Sequence, residues 1–129
     1  MFRSQPFGFK TDEIIKMSVV SIENGPHYIW GDNCDGWHLA RSERLSVIQE
    51  RVPPGSSEQR HLHSKSEQFF FVLTGFATLE VNGVIHTLNP NQGFQVPAGT
   101  PHTLSNQNEV DLEFLVISTP PSHGDRVSA

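Results

Sequence analysis

Three histidines in this chain have the spacing to hold a metal ion. His61 and His63 are separated by one residue, and in a strand, where side chains alternate between faces, both imidazoles project from the same side. Such a pair chelates. His102 follows a rigid turn, residues 97–101 (PAGTP), and opens an alternating run, so a distant strand can add a third imidazole. Just past the pair, Glu67 or Gln68 offers an oxygen. Three imidazole nitrogens and one oxygen suit a divalent transition metal (iron, manganese, nickel, zinc or copper), with positions left open for a small molecule.

Which oxygen joins the site depends on how the chain turns after His63. Ser64, Lys65 and Ser66 are turn formers, and a hairpin would bring the strongly apolar strand that follows, FFFVL, back beside the imidazoles. With Lys65 and Ser66 as the loop, Gln68 faces His63; with three loop residues, Glu67 does. A slip of one residue exchanges faces, so either Phe70 and Val72 or Phe69, Phe71 and Leu73 look toward the site. Both registers stay open.

The segment from Gly55 to Gly75, GSSEQRHLHSKSEQFFFVLTG, is similar to the first cupin motif, G(x5)HxH(x3 or x4)E(x6)G, and Pro97 to Asn106 resembles the end of the second, PxG(x2)H(x3)N. The longer spacing aligns Gln68 with the motif glutamate, and Asn91 stands where a glycine is expected six residues before Pro97. Asparagine tolerates the left-handed turn such a glycine would adopt. The resemblance implies a small barrel, a metal held by His61, His63, Gln68 and His102, and dioxygenase, isomerase or decarboxylase chemistry as the range of activities.

The elements that must position these residues read as strands. Short alternating runs cover 18–22, 27–30, 37–41, 45–52, 76–81, 84–88, 94–96, 102–104 and 110–118, punctuated by Gly, Pro and Asn. Asn82 and Gly83 between two such runs are a strong hairpin signal. The pattern predicts an all-β sandwich or barrel in a single domain over 18–118, and the cupin resemblance implies that it is a double-stranded β-helix or jelly roll. An N-terminal arm over 1–17 should pack on the barrel or a second subunit, and a polar tail over 119–129 should either wander or cap one end. The run at 69–71 makes both faces of its strand apolar while a small barrel has one interior, so a second copy of the chain is expected to cover the outer face as a homodimer.

With 129 residues and a formal charge of −5, the chain has scattered rather than clustered Lys and Arg, which argues against a nucleic-acid surface. It lacks the run of about 18 apolar residues that a membrane helix needs. Cys34 is the one cysteine, so no internal disulfide forms and a reducing cytoplasm is the expected setting. No GxSxG elbow or phosphate-binding glycine loop occurs. His27, His38, His86 and His123 lack partners at ligand spacing, and Glu50, Glu58 and Glu67 read as solvated surface charges. Trp37, Phe70, Val72, Val96, Leu104 and Phe114 are the candidates to line an apolar pocket, with Arg41, Arg44 or Arg51 available to meet a carboxylate. The residues thus point to a metal cupin that binds or transforms a small organic molecule. Two alternatives are a non-catalytic binding or storage cupin and a metal-free, epimerase-like cupin in which the histidines move protons.

Overall fold

A computed structural model describes residues 17–129; the N-terminal arm expected over 1–17 lies, Met17 apart, outside them. The described residues form β1 (His27–Trp30), β2 (Cys34–Arg41), β3 (Ser46–Val52), β4 (His61–His63), β5 (Glu67–Thr74), β6 (Ala77–Val81), β7 (Val84–Leu88), β8 (Gly93–Val96), β9 (His102–Ser105), β10 (Leu112–Thr119) and β11 (Arg126–Ser128). Two antiparallel sheets result, ordered β1-β2-β3-β10-β5-β8 and β11-β4-β9-β6-β7. The chain passes repeatedly between them, and their inner faces close on one interior. This is the all-β architecture that the alternation predicts, in the double-stranded β-helix form that the cupin resemblance implies. Residues 18–22, expected as a strand, form none: Ser18 lies in a bend, Ile22 enters a turn and 19–21 have no regular structure.

The interior is graded, and the grading creates the site. In the central strands the register aligns Val52 with Leu112, then Phe114 with Val72 and Glu50, then Val116 with Phe70 and Ile48, then Ser118 with Gln68 and Ser46. Along β10 and β5 the inward row therefore runs from apolar to polar in the same direction, while β3 sets Glu50 between Val52 and Ile48. One end of the barrel is a packed core of Val52, Val72, Leu79, Leu104, Leu112 and Phe114; toward the other end Ser46, Ser118 and Gln68 bring polar groups into the interior. Burying apolar surface at about 25 cal/mol per Å² drives closure at the first end.

Two turns have clear local causes. Val81 pairs with Val84 across Asn82 and Gly83, whose φ values of 52° and 85° suit a two-residue hairpin. At Gly75 φ is +80°, and a Cβ there would lie 2.4 Å from the Asp111 carbonyl oxygen, so the β5–β6 turn passes beneath β10 only with glycine. Asn91 has φ 68°, the left-handed conformation expected of it.

The expected hairpin between His63 and the phenylalanine strand does not form. β4 pairs with β9 and β11, whereas β5 pairs with β10 and β8 in the other sheet. Residues 64–66 cross between sheets, and Asp125 Oδ2 accepts the N–H groups of Lys65 and Ser66 at 2.9 and 2.8 Å. Those donors are satisfied by the C-terminal segment instead of by a hairpin partner. The tail thereby caps the barrel: Arg126, Val127 and Ser128 pair with His63, Leu62 and His61.

Candidate functional site

His61 and His63 point inward from β4 because two residues share a face, and His102 on β9 lies directly opposite His61 in the register. All three are buried, at 3%, 6% and 1% exposure. One nitrogen from each ring lies within 4.8 Å of the others, so the group could hold a metal ion. Backbone carbonyls set two of the rings. Nδ1 of His61 donates to the Gln59 carbonyl at 2.7 Å and Nδ1 of His102 to the Thr100 carbonyl at 2.8 Å. A carbonyl only accepts, so Nδ1 carries the proton and Nε2 keeps its lone pair.

His102 Nε2, His63 Nδ1 and Gln68 Oε1 are buried without a hydrogen-bond partner, and unpaired buried polar atoms of this kind are rare. Gln68 Nε2 donates to Ser118 Oγ at 3.0 Å, which orients the amide and leaves its oxygen free. Glu67, the rival oxygen, is exposed and accepts a hydrogen bond from Gln95. Burial pushes the His61 and His63 imidazoles down to about 4 and lowers His102 also, which keeps the rings neutral and able to ligate.

A cavity of about 290 Å³ opens beside this cluster, walled by His61, His63, Gln68, Phe70, Ile48, Val116 and Ser118, with Glu50, Glu58, Tyr28, Ser122, His123, Gly124 and Arg126 completing it. Of the six residues expected to line an apolar pocket, Phe70 does. Val72, Val96, Leu104 and Phe114 belong to the packed core and do not line this cavity. Trp37 packs against His27 at 5.2 Å between ring centres, on the opposite side of β2 from the buried Cys34, Gly36 and His38.

Several wall residues differ from expectation. Glu50 and Glu58 are half-buried cavity residues, not solvated charges, since the inward rows of β3 and the approach to β4 carry them inside. The cavity guanidinium is Arg126, supplied by the tail, whereas Arg51 bonds Asp35 at 2.6 Å and Arg44 is exposed. His123 also lines the wall, while His27 bonds Asp35 at 2.7 Å and His86 packs on Phe94. The polar composition of the segment 119–129 carried no periodic signal that could have placed it here.

Residues 48–118 match the family model described as Cupin domain. An uncharacterised protein of Methanocaldococcus jannaschii is 28% identical over 68% of this chain and 71% of its own length. The mannose-1-phosphate guanylyltransferase of Klebsiella pneumoniae is 30% identical over 70% of this chain, which spans only 18% of that relative. Among solved structures, a sugar phosphate isomerase of the cupin superfamily from Silicibacter pomeroyi superposes with a TM-score of 0.73 at 22% identity, covering 81% of this chain and 76% of the other.

Proposed function

The chain belongs to the cupin family, and from that premise we propose that it uses a divalent metal, held by His61, His63, His102 and the Gln68 oxygen, to bind and transform a small organic molecule. One observation carries the reading: buried donor atoms on His63, His102 and Gln68 have no hydrogen-bond partner, and each such atom costs about 1–3 kcal/mol unless something pairs with it. When bound, the metal would act as a Lewis acid on a carbonyl or enolate oxygen.

The chain's own residues supply the rest. The Gln59 and Thr100 carbonyls hold the His61 and His102 rings, Ser118 aims the Gln68 amide, and Phe70, Ile48 and Val116 keep water from one side of the cavity. Arg126 offers a positive charge at the wall for an anionic substituent. The names of the Silicibacter and Klebsiella proteins put phosphorylated sugars and related hydroxy-carbonyl compounds first among ligands to screen. A neutral Gln68 in place of a carboxylate also favours a second reading, a binding module without turnover. A homodimer and a reducing cytoplasm, in which the buried Cys34 thiol stays free, complete the proposal.

Elemental analysis of the purified protein tests the metal. The expected result is about one transition-metal ion per chain, lost in His102→Ala with an unchanged far-UV circular dichroism spectrum. Failure to take up iron, manganese, nickel, zinc or copper in dialysis sinks the metal reading.

A further inference from the structure

Two carboxyl groups face the cavity that metal binding does not use. Glu50 sits in the inward row of β3, opposite Gly36 on β2 and Phe114 on β10. A carboxyl there is costly to bury, yet three strands combine to hold it. The Tyr28 hydroxyl donates to Glu50 Oε2 at 3.1 Å. To reach it, the Tyr28 ring lies across β2 over Gly36, where a Cβ would meet ring and hydroxyl atoms at 2.3–2.6 Å. Gly36 is thus required by Tyr28, and Tyr28 fixes Glu50. Glu58, ahead of β4, is held separately by the Leu104 N–H, which donates to its Oε1 at 3.0 Å.

We propose that Glu50 and Glu58 are the proton-transferring pair of this cavity, acting on small hydroxy-aldehydes and hydroxy-ketones, with Glu50 as base toward carbon and Glu58 as acid toward oxygen. The proposal rests on the reading of the cavity as the small-molecule site. The C–H bond beside the carbonyl breaks and its proton passes to the Glu50 carboxylate. Its electron pair forms the C=C bond, the carbonyl pair moves onto oxygen, and that oxygen takes the Glu58 proton, giving an enediol. In the return step Glu50 protonates the neighbouring carbon and the other hydroxyl gives its proton to Glu58. The result is a 1,2-shift of hydrogen, balanced without an external oxidant or reductant.

Burial raises both carboxyl groups into the range where a proton is readily exchanged near neutral pH. Burial raises Glu50 to about 7 against the Tyr28 hydrogen bond and the Arg126 charge. Burial, and then the Glu50 charge, raise Glu58 to about 8. The two titrate as a pair, which between these values holds one proton and so presents one base and one acid. His61, His63 and His123 share the cavity wall with them, and His38 and the Arg41 charge adjoin Tyr28.

Deuterium wash-in from D2O into dihydroxyacetone, glyceraldehyde and their phosphates, followed by proton NMR, tests the pair, with metal content measured on every preparation. The wild-type protein should exchange the hydrogen beside the carbonyl, with a bell-shaped pH profile. Glu50→Gln should slow exchange by about 100-fold or more at unchanged metal content and circular dichroism. Tyr28→Phe should move the acidic limb to higher pH, because the carboxylate loses its donor, and Glu58→Gln should remove the alkaline limb. Wild-type exchange rates in Glu50→Gln, or no exchange of any of the four probes, overturn the proposal. Full exchange by protein that binds no metal supports the pair and counts only against the metal reading.

Discussion

Burial holds the His61 and His63 imidazoles at about 4, below the ordinary value of about 6.5, and the consequence for metal binding has a definite sign. Ligation needs a neutral ring, and a depressed pKa keeps the folded rings neutral as pH falls from 6.5 toward 4. Three ordinary imidazoles would lose about tenfold in affinity each on going one unit below 6.5, about a thousandfold together. Here zinc affinity, measured by competition with a fluorescent chelator, should change by less than about tenfold between pH 7.5 and 5.5. A thousandfold loss over that range would mean that the rings are solvated. The neighbouring amide has its own prediction. Gln68→Glu places a carboxylate where Oε1 now lacks a partner, so calorimetry should show divalent metal binding tightened by about tenfold or more. Unchanged or weaker binding would remove Gln68 from the ligand set.

At the scale of the elements, one asparagine ties together the segments that present the histidines. Asn106, 1% exposed, donates from Nδ2 to the carbonyls of Val52 and Val110 at 2.9 and 2.7 Å and accepts from the Asn108 N–H at 3.0 Å. Its peptide also bonds Ser56 and Gly55, so the end of β3, the approach to β4 and the end of β9 share one fastening. Asn106→Ala leaves those carbonyls without a donor and should cost about 2–4 kcal/mol in urea denaturation; a loss under about 0.5 kcal/mol would show that water replaces the amide. The spacing of His61, His63, Gln68, His102 and Asn106 was legible because each recurs at a fixed offset within a short segment. The inward direction of Phe70 and Val72 was legible as one of two alternatives, since alternation defines faces without saying which is inside. Pairing across sheets was not legible. His63 and Gln68 are five residues apart yet lie in opposite sheets, because Asp125, some 60 residues on, binds the connecting N–H groups. Glu50 looked like a surface charge for a related reason: its partner Tyr28 lies two strands away, and only the register over Gly36 joins them.

For the whole molecule, the outer face of the six-stranded sheet is apolar and, among the described residues, uncovered. Its register sets Val47, Ile117 and Phe69 in one row and Gln49, Leu115 and Phe71 in the next, with the Phe69 and Phe71 rings stacked at 6.2 Å. Phe69 is 38% exposed and the other apolar members are half-buried, so two adjoining rows of aliphatic and aromatic groups meet solvent on the side away from the core. A second copy presenting the same rows would bury them by a two-fold contact, the commonest arrangement of soluble oligomers. Light scattering coupled to size exclusion should therefore give twice the chain mass of 14.4 kDa at micromolar concentration. Phe69→Glu puts a charge at the centre of the contact and should weaken association by about 30-fold or more while leaving metal content unchanged, because Phe69 and Gln68 point to opposite faces of β5. A wild-type monomer at these concentrations overturns the dimer. So does a monomer that associates only after residues 1–16, with Phe2, Phe7 and Phe9, are removed; that result would assign the covering of this face to the chain's own N-terminal segment.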